Sequence, residues 1–392
     1  MQHVDVVVIG GGAMGSAAAW QLARRGKSVV LLEQYGPGHQ KGSSHGGSRI
    51  YRATYAQSAY LDLMAQSLPL WDDLEAETNT QLLTRVGVVS HGFPPRDFEA
   101  PMRAHGINLE VMSPQEAQER WPAMRFEGKV LFERDTAGRV NADLTIEVLQ
   151  RRATELGATI LHNSPVLGTR HEASGVVVQT ADAEYLADRV VLATGGWMNN
   201  LATDLLGLER PLPLQVVEVA PVHFQISAAT AAGMTEAEWP SFTHDHAPVD
   251  PVTGNPTRWP GIVYGLATTG EGIKVGFNAY GQTLSADART WQPRPGDVEL
   301  HQEYARQWIP GLDPDAVTEI SCTYTRTPTD DFIMDRRGRV VVASCCSGHG
   351  FKFTPMIGKM LADLAEQPLE QAPAQSAELF SLRYHLASST GQ

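Results

Sequence analysis

VDVVVIGGGAMGSAAAWQLARRGKSVVLLE, residues 4–33, decides the fold. Val6–Ile9 is a continuous apolar run, the mark of a strand buried on both faces. Gly10, Gly12 and Gly15 follow in G-x-G-x-x-G spacing, then a helix of small residues over Ala13–Arg24 and a second apolar strand, Ser28–Leu32, that ends on Glu33. Gly10 permits the tight turn, Gly12 lets the backbone approach a pyrophosphate, and Gly15 lets helix and strand pack closely. The helix N-terminus offers unpaired N–H groups and partial positive charge to phosphates. Glu33 stands about 20 residues beyond the glycines, where an acidic side chain accepts from ribose hydroxyls. The glycines alone are a weak signal, and a glycine-rich turn of some other α/β protein is the competing reading. Strand, glycines, helix, strand and terminal acid together read as a dinucleotide site.

At 392 residues the chain exceeds a usual single core, so two domains are expected. The net charge of −13 argues against nucleic acid, whose phosphates need a basic surface. No window reaches membrane-spanning length without polar residues, and the first strand begins too early for a secretory leader. Cys322, Cys345 and Cys346 give neither a disulfide framework nor metal-ligand spacing, so a reducing, cytoplasmic location is expected. Lysine is scarce: Lys27, Lys41, Lys129, Lys274, Lys352 and Lys359 are all there are. Any lysine in an apolar or glycine-rich setting is therefore informative.

Beyond Glu33 lies a glycine- and serine-rich loop carrying Ser43, Ser44, His45, Arg49 and Arg52, suited to backbone lying against a ligand and equally readable as a solvated loop. Tyr60–Thr78 reads as an amphipathic helix that Pro69 kinks or divides. Ser113 and Glu116 have capping-box spacing. Helical periodicity resumes from Asn141, and a buried strand from Arg189 runs into Thr194-Gly-Gly. Between Pro211 and Glu319 the texture changes to strand-like runs at Val216–Phe224, Ile262–Gly265 and Ile273–Phe277, which predicts an antiparallel sheet domain inserted in the nucleotide domain. Near the end, Val340–Ala343 leads through a glycine turn into a helix from about Met356 to Glu366.

Four stretches carry a specific resemblance: GSSHGGSRIYR (42–52), GIKVGFNAYGQ (272–282), SCTYTRTPTDDFIMD (321–335) and SGHGFKF (347–353). The sequence resembles the flavin-dependent amine oxidases of the monomeric sarcosine oxidase and N-methyltryptophan oxidase group, within the D-amino-acid-oxidase-like fold. The resemblance implies an α/β (α+β) protein. Its Rossmann-type FAD-binding domain would be built of discontinuous segments (1–85, 141–212 and 320–392), with an antiparallel-sheet substrate domain (86–140 and 213–319). FAD would be held by Gly10, Gly12, Gly15, Glu33, Ser43, Ser44, Gly348, His349, Gly350 and Lys352.

Chemistry alone reads Cys322 as an inert buried thiol; the resemblance implies a thioether from it to FAD. Arg52 and Lys352 match a pair that binds the substrate carboxylate, a task suited to one forked and one compact cation. Lys274 alternates with Ile273 and Val275 on a strand, where it would face either solvent or a ligand. It matches a lysine that promotes reaction of reduced flavin with O2. His45 and Arg49 match flavin-contacting positions, and Tyr264 an active-site tyrosine. Two departures stand out: Asn278 replaces a substrate-touching histidine, and Gly47-Ser48 replaces an Asp-Thr pair. Asn cannot titrate near neutrality as His does, so the substrate need not be sarcosine.

These residues imply FAD-dependent oxidation of a secondary amine bearing a carboxylate, an N-methyl or cyclic amino acid, to an imine, with O2 reduced to H2O2. No general base is assigned. The expected partners are a small-molecule amine and O2, with no nucleic acid and no membrane, acting on a monomer. The alternatives are a dehydrogenase of the same fold with another electron acceptor, an oxidase of a glycated amino acid, and a nucleotide-binding regulatory protein without turnover.

Overall fold

The computed structural model describes residues 1–94, 96–249, 254–369 and 378–388, and its frame is two eight-stranded sheets. In the first, strands Thr159–Leu161, Val29–Leu32, Gln2–Ile9 and Glu184–Leu192 run parallel side by side. The last is shared. Its first half pairs with the hairpin of Gly168–His171 and Val176–Gln179, and its second half pairs with Val340–Ser344. Both faces are covered, as a parallel sheet requires. Val6 and Val8 pack toward Ala17, Trp20 and the helix Thr354–Glu366, whereas Val4, Val7 and Ile9 pack toward Ala202 and Leu205.

The opening helix is Ala13–Arg24, as its residues predict. Its alanines matter because the helix Thr354–Glu366 crosses it closely: a Cβ on Gly358 would lie 2.6 Å from Ala17. The helix expected to be kinked or divided is a single helix, Ser58–Thr78, with Pro69 inside it. Met64, Trp71 and Leu74 on either side of the proline are buried in the same core. That tertiary packing outweighs the lost backbone hydrogen bond. The capping box at Ser113 and Glu116 forms as its spacing predicts.

The second sheet runs in the order Leu312–Glu319, Val222–Ile226, Gly272–Phe277, Val263–Thr268, Ser241–Asp245, Val88–Gly92, Lys129–Glu133 and Leu109–Met112. Its pairs are antiparallel except one, Ser241–Asp245 with Val88–Gly92, which is parallel. One face carries Phe224, Phe242, Val263, Ala267, Ile273, Val275 and Phe277, packed with Tyr304 and Ala305 of the helix Asp297–Trp308. The alternate residues His223, Thr243, Asp245, Tyr264, Leu266, Thr268 and Lys274 face a cavity between the two sheets.

Two strand readings are corrected. Val216–Phe224 is not one strand. Gln215–Val219 joins a three-stranded sheet with Gly281–Leu284 and Cys322–Arg326, while Val222–Ile226 belongs to the second sheet. Pro221, which has no N–H to donate to a ladder, stands at the crossover. The strand Ser241–Asp245 was not anticipated, because its residues are mostly polar and Phe242 and Thr243 alone are too few to make a run of β-branched and aromatic residues.

Candidate active site

The glycine turn is as tight as its spacing demands. Gly10 has φ 103°, and a Cβ there would lie 2.5 Å from the Ala193 carbonyl oxygen. A Cβ on Gly15 would lie 1.9 Å from the carbonyl oxygen of Gly10, so that position fixes how closely the helix sits on the turn. Glu33 is nearly buried, and its Oε2 accepts from the Gly11 N–H at 2.7 Å while Oε1 accepts from the Tyr35 N–H at 2.9 Å. Burial pushes its carboxyl up, but hydrogen bonds from His39, Gly11 and Tyr35 outweigh that and hold it below the usual range. The Ala13 N–H at the helix start donates to Ser44 Oγ at 3.0 Å, which joins the second loop to the first. Gln150, which sequence reasoning did not single out, donates to the Gly11 carbonyl at 2.9 Å.

From this turn a cavity of about 1810 Å³ extends under the second sheet. Its walls bring together Gly10, Gly12, Glu33, Ser43, Ser44, His45, Arg49, Arg52, Tyr264, Lys274, Asn278, Cys322, Gly348, His349, Gly350 and Lys352. Gly15 is the one predicted site residue outside the lining; it lies beneath the turn. A long dinucleotide fits these residues. The turn leaves no side chain in its path, and His45 Nε2 is a buried nitrogen without a protein partner. Burial, reinforced by the Arg49 charge, lowers His45 to about 3, so it is neutral at neutral pH.

Lys274 is buried, with only 4% of its surface exposed, and does not face solvent. Its Nζ donates to the Ser48 carbonyl at 2.6 Å. Burial first, then the Arg49 charge, lowers it to about 7, so it titrates near neutrality. His223, its neighbour across the ladder, bonds Thr268 Oγ1 at 3.0 Å, and that hydroxyl pairs with Ser48 Oγ at 2.6 Å. Burial and the Lys274 charge lower His223 to about 4.

Arg49 donates to the carbonyls of Ser48 at 2.8 Å, Ser43 at 3.1 Å and His45, and its Nη2 stands 3.8 Å from Cys322 Sγ. Cys322 itself is buried on the cavity wall. Cys345 and Cys346 also touch the cavity, but burial pushes both thiols up, away from the reactive thiolate. Tyr324 Oη donates to Tyr264 Oη at 3.2 Å, and burial raises both phenols, keeping them neutral donors.

Arg52 and Lys352 line the same cavity. Lys352 Nζ donates to Tyr55 Oη at 3.0 Å and to the His349 carbonyl at 2.6 Å; Arg52 Nη1 donates to the Thr54 carbonyl at 2.6 Å. Burial, aided by the Arg52 charge, holds Lys352 well below the usual lysine value. Neither cation has an ion-pair partner among the described residues, and Arg52 Nε is buried without any partner. The helix Ser58–Thr78 fixes this corner: Ser67 Oγ and Trp71 Nε1 donate to the Lys352 carbonyl at 3.0 and 2.8 Å. Tyr55, Thr243 and Asp245 line the cavity too and were not anticipated. The polar half of Ser241–Asp245 was the available signal.

A dinucleotide turn on a parallel sheet, opening into a cation-lined chamber roofed by a second sheet, defines a nucleotide-cofactor redox enzyme. More narrowly, the family described as FAD dependent oxidoreductase matches residues 5–364, and the chain belongs to it. It is 30% identical over 378 residues to the monomeric sarcosine oxidase of Bacillus sp. (strain NS-129), with 93% of each chain covered. It is also 30% identical over 376 residues to the N-methyl-L-tryptophan oxidase of Escherichia coli O157:H7, covering 92% of this chain and 95% of that relative. Among solved structures it is similar to NikD, an unusual amino acid oxidase essential for nikkomycin biosynthesis. The TM-score is 0.80 and the identity 27%, over 97% of this chain and 98% of that one. Dependence on FAD follows from family membership. Among the described residues no helix is long and apolar enough to cross a membrane, and no side-chain group could hold a metal ion.

The buried histidines set a pH dependence. His45 and His349 are lowered to about 3 and His223 to about 4, chiefly by burial. Between these values and the ordinary 6.5 the unfolded chain binds protons that the folded chain does not, so stability rises with pH across that window. Urea-denaturation midpoints should therefore fall steadily as pH drops from 6.5 toward 4, and His223→Asn should flatten that slope. A flat native profile over this range would refute the reading.

Proposed function

We propose that the chain is an FAD-dependent oxidase of a secondary amine bearing a carboxylate, an N-methyl or cyclic amino acid, which it converts to an imine with release of H2O2. The observation that carries this is the pair Arg52 and Lys352, two cations lining one cavity that among the described residues have no carboxylate at ion-pair distance; the buried Glu133 acts on both from further off, its oxygens taken by the Ala53 N–H at 2.8 Å and the Thr136 hydroxyl at 3.0 Å. An unpaired buried ammonium is costly, and an anionic ligand removes the cost. Bound FAD supplies the acceptor of a hydride equivalent from the carbon next to nitrogen, and O2 then takes the electrons away as H2O2. The chain's own part is positional and electrostatic. Arg52 and Lys352 hold the carboxylate, Tyr264 and Asn278 border the substrate, and His45 and Arg49 contact the cofactor. Lys274 offers a preorganised cation where negative charge develops on oxygen. Ser43, Ser44, Glu33 and the glycines of both turns hold the cofactor, Gly348 and Gly350 among them, together with His349.

The names of the two relatives support the substrate class, and Asn278 favours a substrate other than sarcosine itself. We further propose that residues 1–85, 141–212 and 320–392 form the FAD domain, with 86–140 and 213–319 as the substrate domain. A monomer in the cytoplasm suits the free cysteines and the small-molecule chemistry. A dehydrogenase with another acceptor is the rival reading; the buried Lys274 favours oxygen.

The carboxylate clamp is tested by titrating flavin absorbance with methylthioacetate. Removing one partner of a buried charged contact costs roughly 2–5 kcal/mol. Arg52→Ala and Lys352→Ala should thus each weaken binding about thirtyfold or more, with flavin retained in Arg52→Ala. Native-like titration by both variants sinks the clamp. For Lys274, losing one preorganised electrostatic group costs about 2.7–4 kcal/mol, so Lys274→Met should slow reoxidation by O2 roughly a hundredfold and leave reduction by substrate nearly untouched. Stopped-flow traces with unchanged oxygen reactivity would remove it from this role. The Cys322 thioether predicts that yellow colour stays with acid-precipitated protein and is released in Cys322→Ser. Colour found wholly in the native supernatant excludes the link.

A further inference from the structure

Asp245 ends the strand Ser241–Asp245. Thr243 is in register with Tyr264, and alternation puts Thr243 and Asp245 on the cavity face. His244, between them, is turned the other way and pairs with Tyr304 Oη and Glu127 Oε1, each at 2.8 Å. Thr243 Oγ1 is satisfied by donating to Ser90 Oγ at 2.9 Å. The Asp245 carboxylate has no hydrogen-bond or ion-pair partner among the described residues, although its surroundings are partly desolvated. Of the other carboxylates lining the cavity, Glu33 is engaged by the Gly11 N–H, Asp143 by the Gly46 N–H at 2.7 Å, Asp330 by Arg326 at 2.6 Å and Glu271 by His223 at 3.4 Å, while Glu147 and Glu319 are exposed to solvent. Asp245 is thus an acceptor without a hydrogen bond on the roof of the chamber that Arg52 and Lys352 also line, near enough to Arg52 for that charge to act on it. Burial pushes its carboxyl up and the Arg52 charge works against that.

We propose that Asp245 determines specificity by receiving a cationic side chain, so that the substrate is an N-alkylated or cyclic α-amino acid bearing a second, basic group, an ammonium or guanidinium. The proposal rests on the reading that Arg52 and Lys352 hold the substrate carboxylate. An apolar side chain would leave Asp245 unpaired beside a desolvated wall, whereas a basic one satisfies it, so the site rewards one class and penalises the other.

The test uses the FAD-loaded enzyme and two matched pairs of probes. In turnover, Nα-methyl-lysine is compared with Nα-methylnorleucine, which has an uncharged side chain of similar length. In binding, flavin absorbance is titrated with ε-aminohexanoate, hexanoate and hexylamine. Native enzyme should favour the basic member of each pair about tenfold or more, as expected for a hydrogen bond to a charged group. In Asp245→Asn the ratio should fall close to one, with the loss concentrated on the basic probe. Asp245→Ser provides a second variant should the amide perturb folding. Native enzyme that does not favour the basic probe, or variants that keep the native ratio, overturn the proposal. Equal weakening of both members of a pair also overturns it, because Asp245 would then act only by orienting Arg52. Hexylamine binding native enzyme as well as ε-aminohexanoate would instead overturn the carboxylate clamp. Asp245 would still be judged by whether its variants lose hexylamine.

Discussion

The site depends on an excess of buried positive charge. Arg49, Arg52, Lys274 and Lys352 border one cavity, and among the described residues none of them has a carboxylate partner. The chain as a whole carries −13, so this concentration of cations is local and built. Backbone carbonyls do the solvating: those of Ser43, His45, Ser48, Thr54 and His349 each accept from one or more of the four. Carbonyl dipoles stabilise a cation without neutralising it. The cavity therefore keeps a positive potential, strong in a low-dielectric setting, that an anionic occupant can use. Burial first, and the neighbouring positive charges second, bring Lys274 down to about 7 and keep His45 and His349 uncharged.

Holding those cations in place is the work of the fold. The roof is one face of a sheet whose other face is apolar core, so its period of two commits Lys274, Tyr264 and Thr243 to the cavity once Ile273, Val263 and Phe242 are buried. A slip by one residue would bury Lys274 in the core at prohibitive cost, which pins the register. On the opposite wall the control is a helix. Ser67 and Trp71 grip the Lys352 carbonyl, and Trp71 is itself buried in the main core. Lys352 is thus anchored through its backbone, while its ammonium, bonded to Tyr55 and the His349 carbonyl, stays on the cavity wall.

How much of this could be read in the sequence follows from the range of the interactions. The glycine turn and the helix Ala13–Arg24 are local in sequence, and both form as their residues dictate. The inward aim of Lys274 was legible as an alternative, since alternation fixes parity while only tertiary packing tells which side is wet. The split at Pro221 was written in the chain as a residue that cannot donate to a ladder. The apolar run around it hid the fact that its two halves serve different sheets. Asp245 and Thr243 were missed for a different reason. Their strand is mostly polar because one face lines a chamber and the other holds a histidine bonded to Tyr304 and Glu127. Hydrophobic patterning has little to report there. Gln150 is a long-range partner of the Gly11 carbonyl, and nothing in its local sequence marks it.

Gly47, Ser48 and Asn278, which differ from what the resemblance implies, fit one physical account. A Cβ on Gly47 would lie 2.6 Å from Thr268 Cγ2, so the methyl of Thr268 claims the room that a larger residue would need. The hydroxyl of that same Thr268 pairs with Ser48 and His223, tying the loop to the roof beside Lys274. An uncharged residue at position 47 leaves the cation cluster without an offsetting carboxylate there. Asn278 supplies a fixed dipole in place of a titrating ring, and a Cβ on Gly348 would lie 3.3 Å from its Oδ1. With no titrating ring at 278, the proposed recognition of charge would fall to Arg52 and Lys352 and to the carboxylate of Asp245 on the roof. Discrimination among substrates then turns on how their charges are distributed. The protonation state of a residue at position 278 no longer enters.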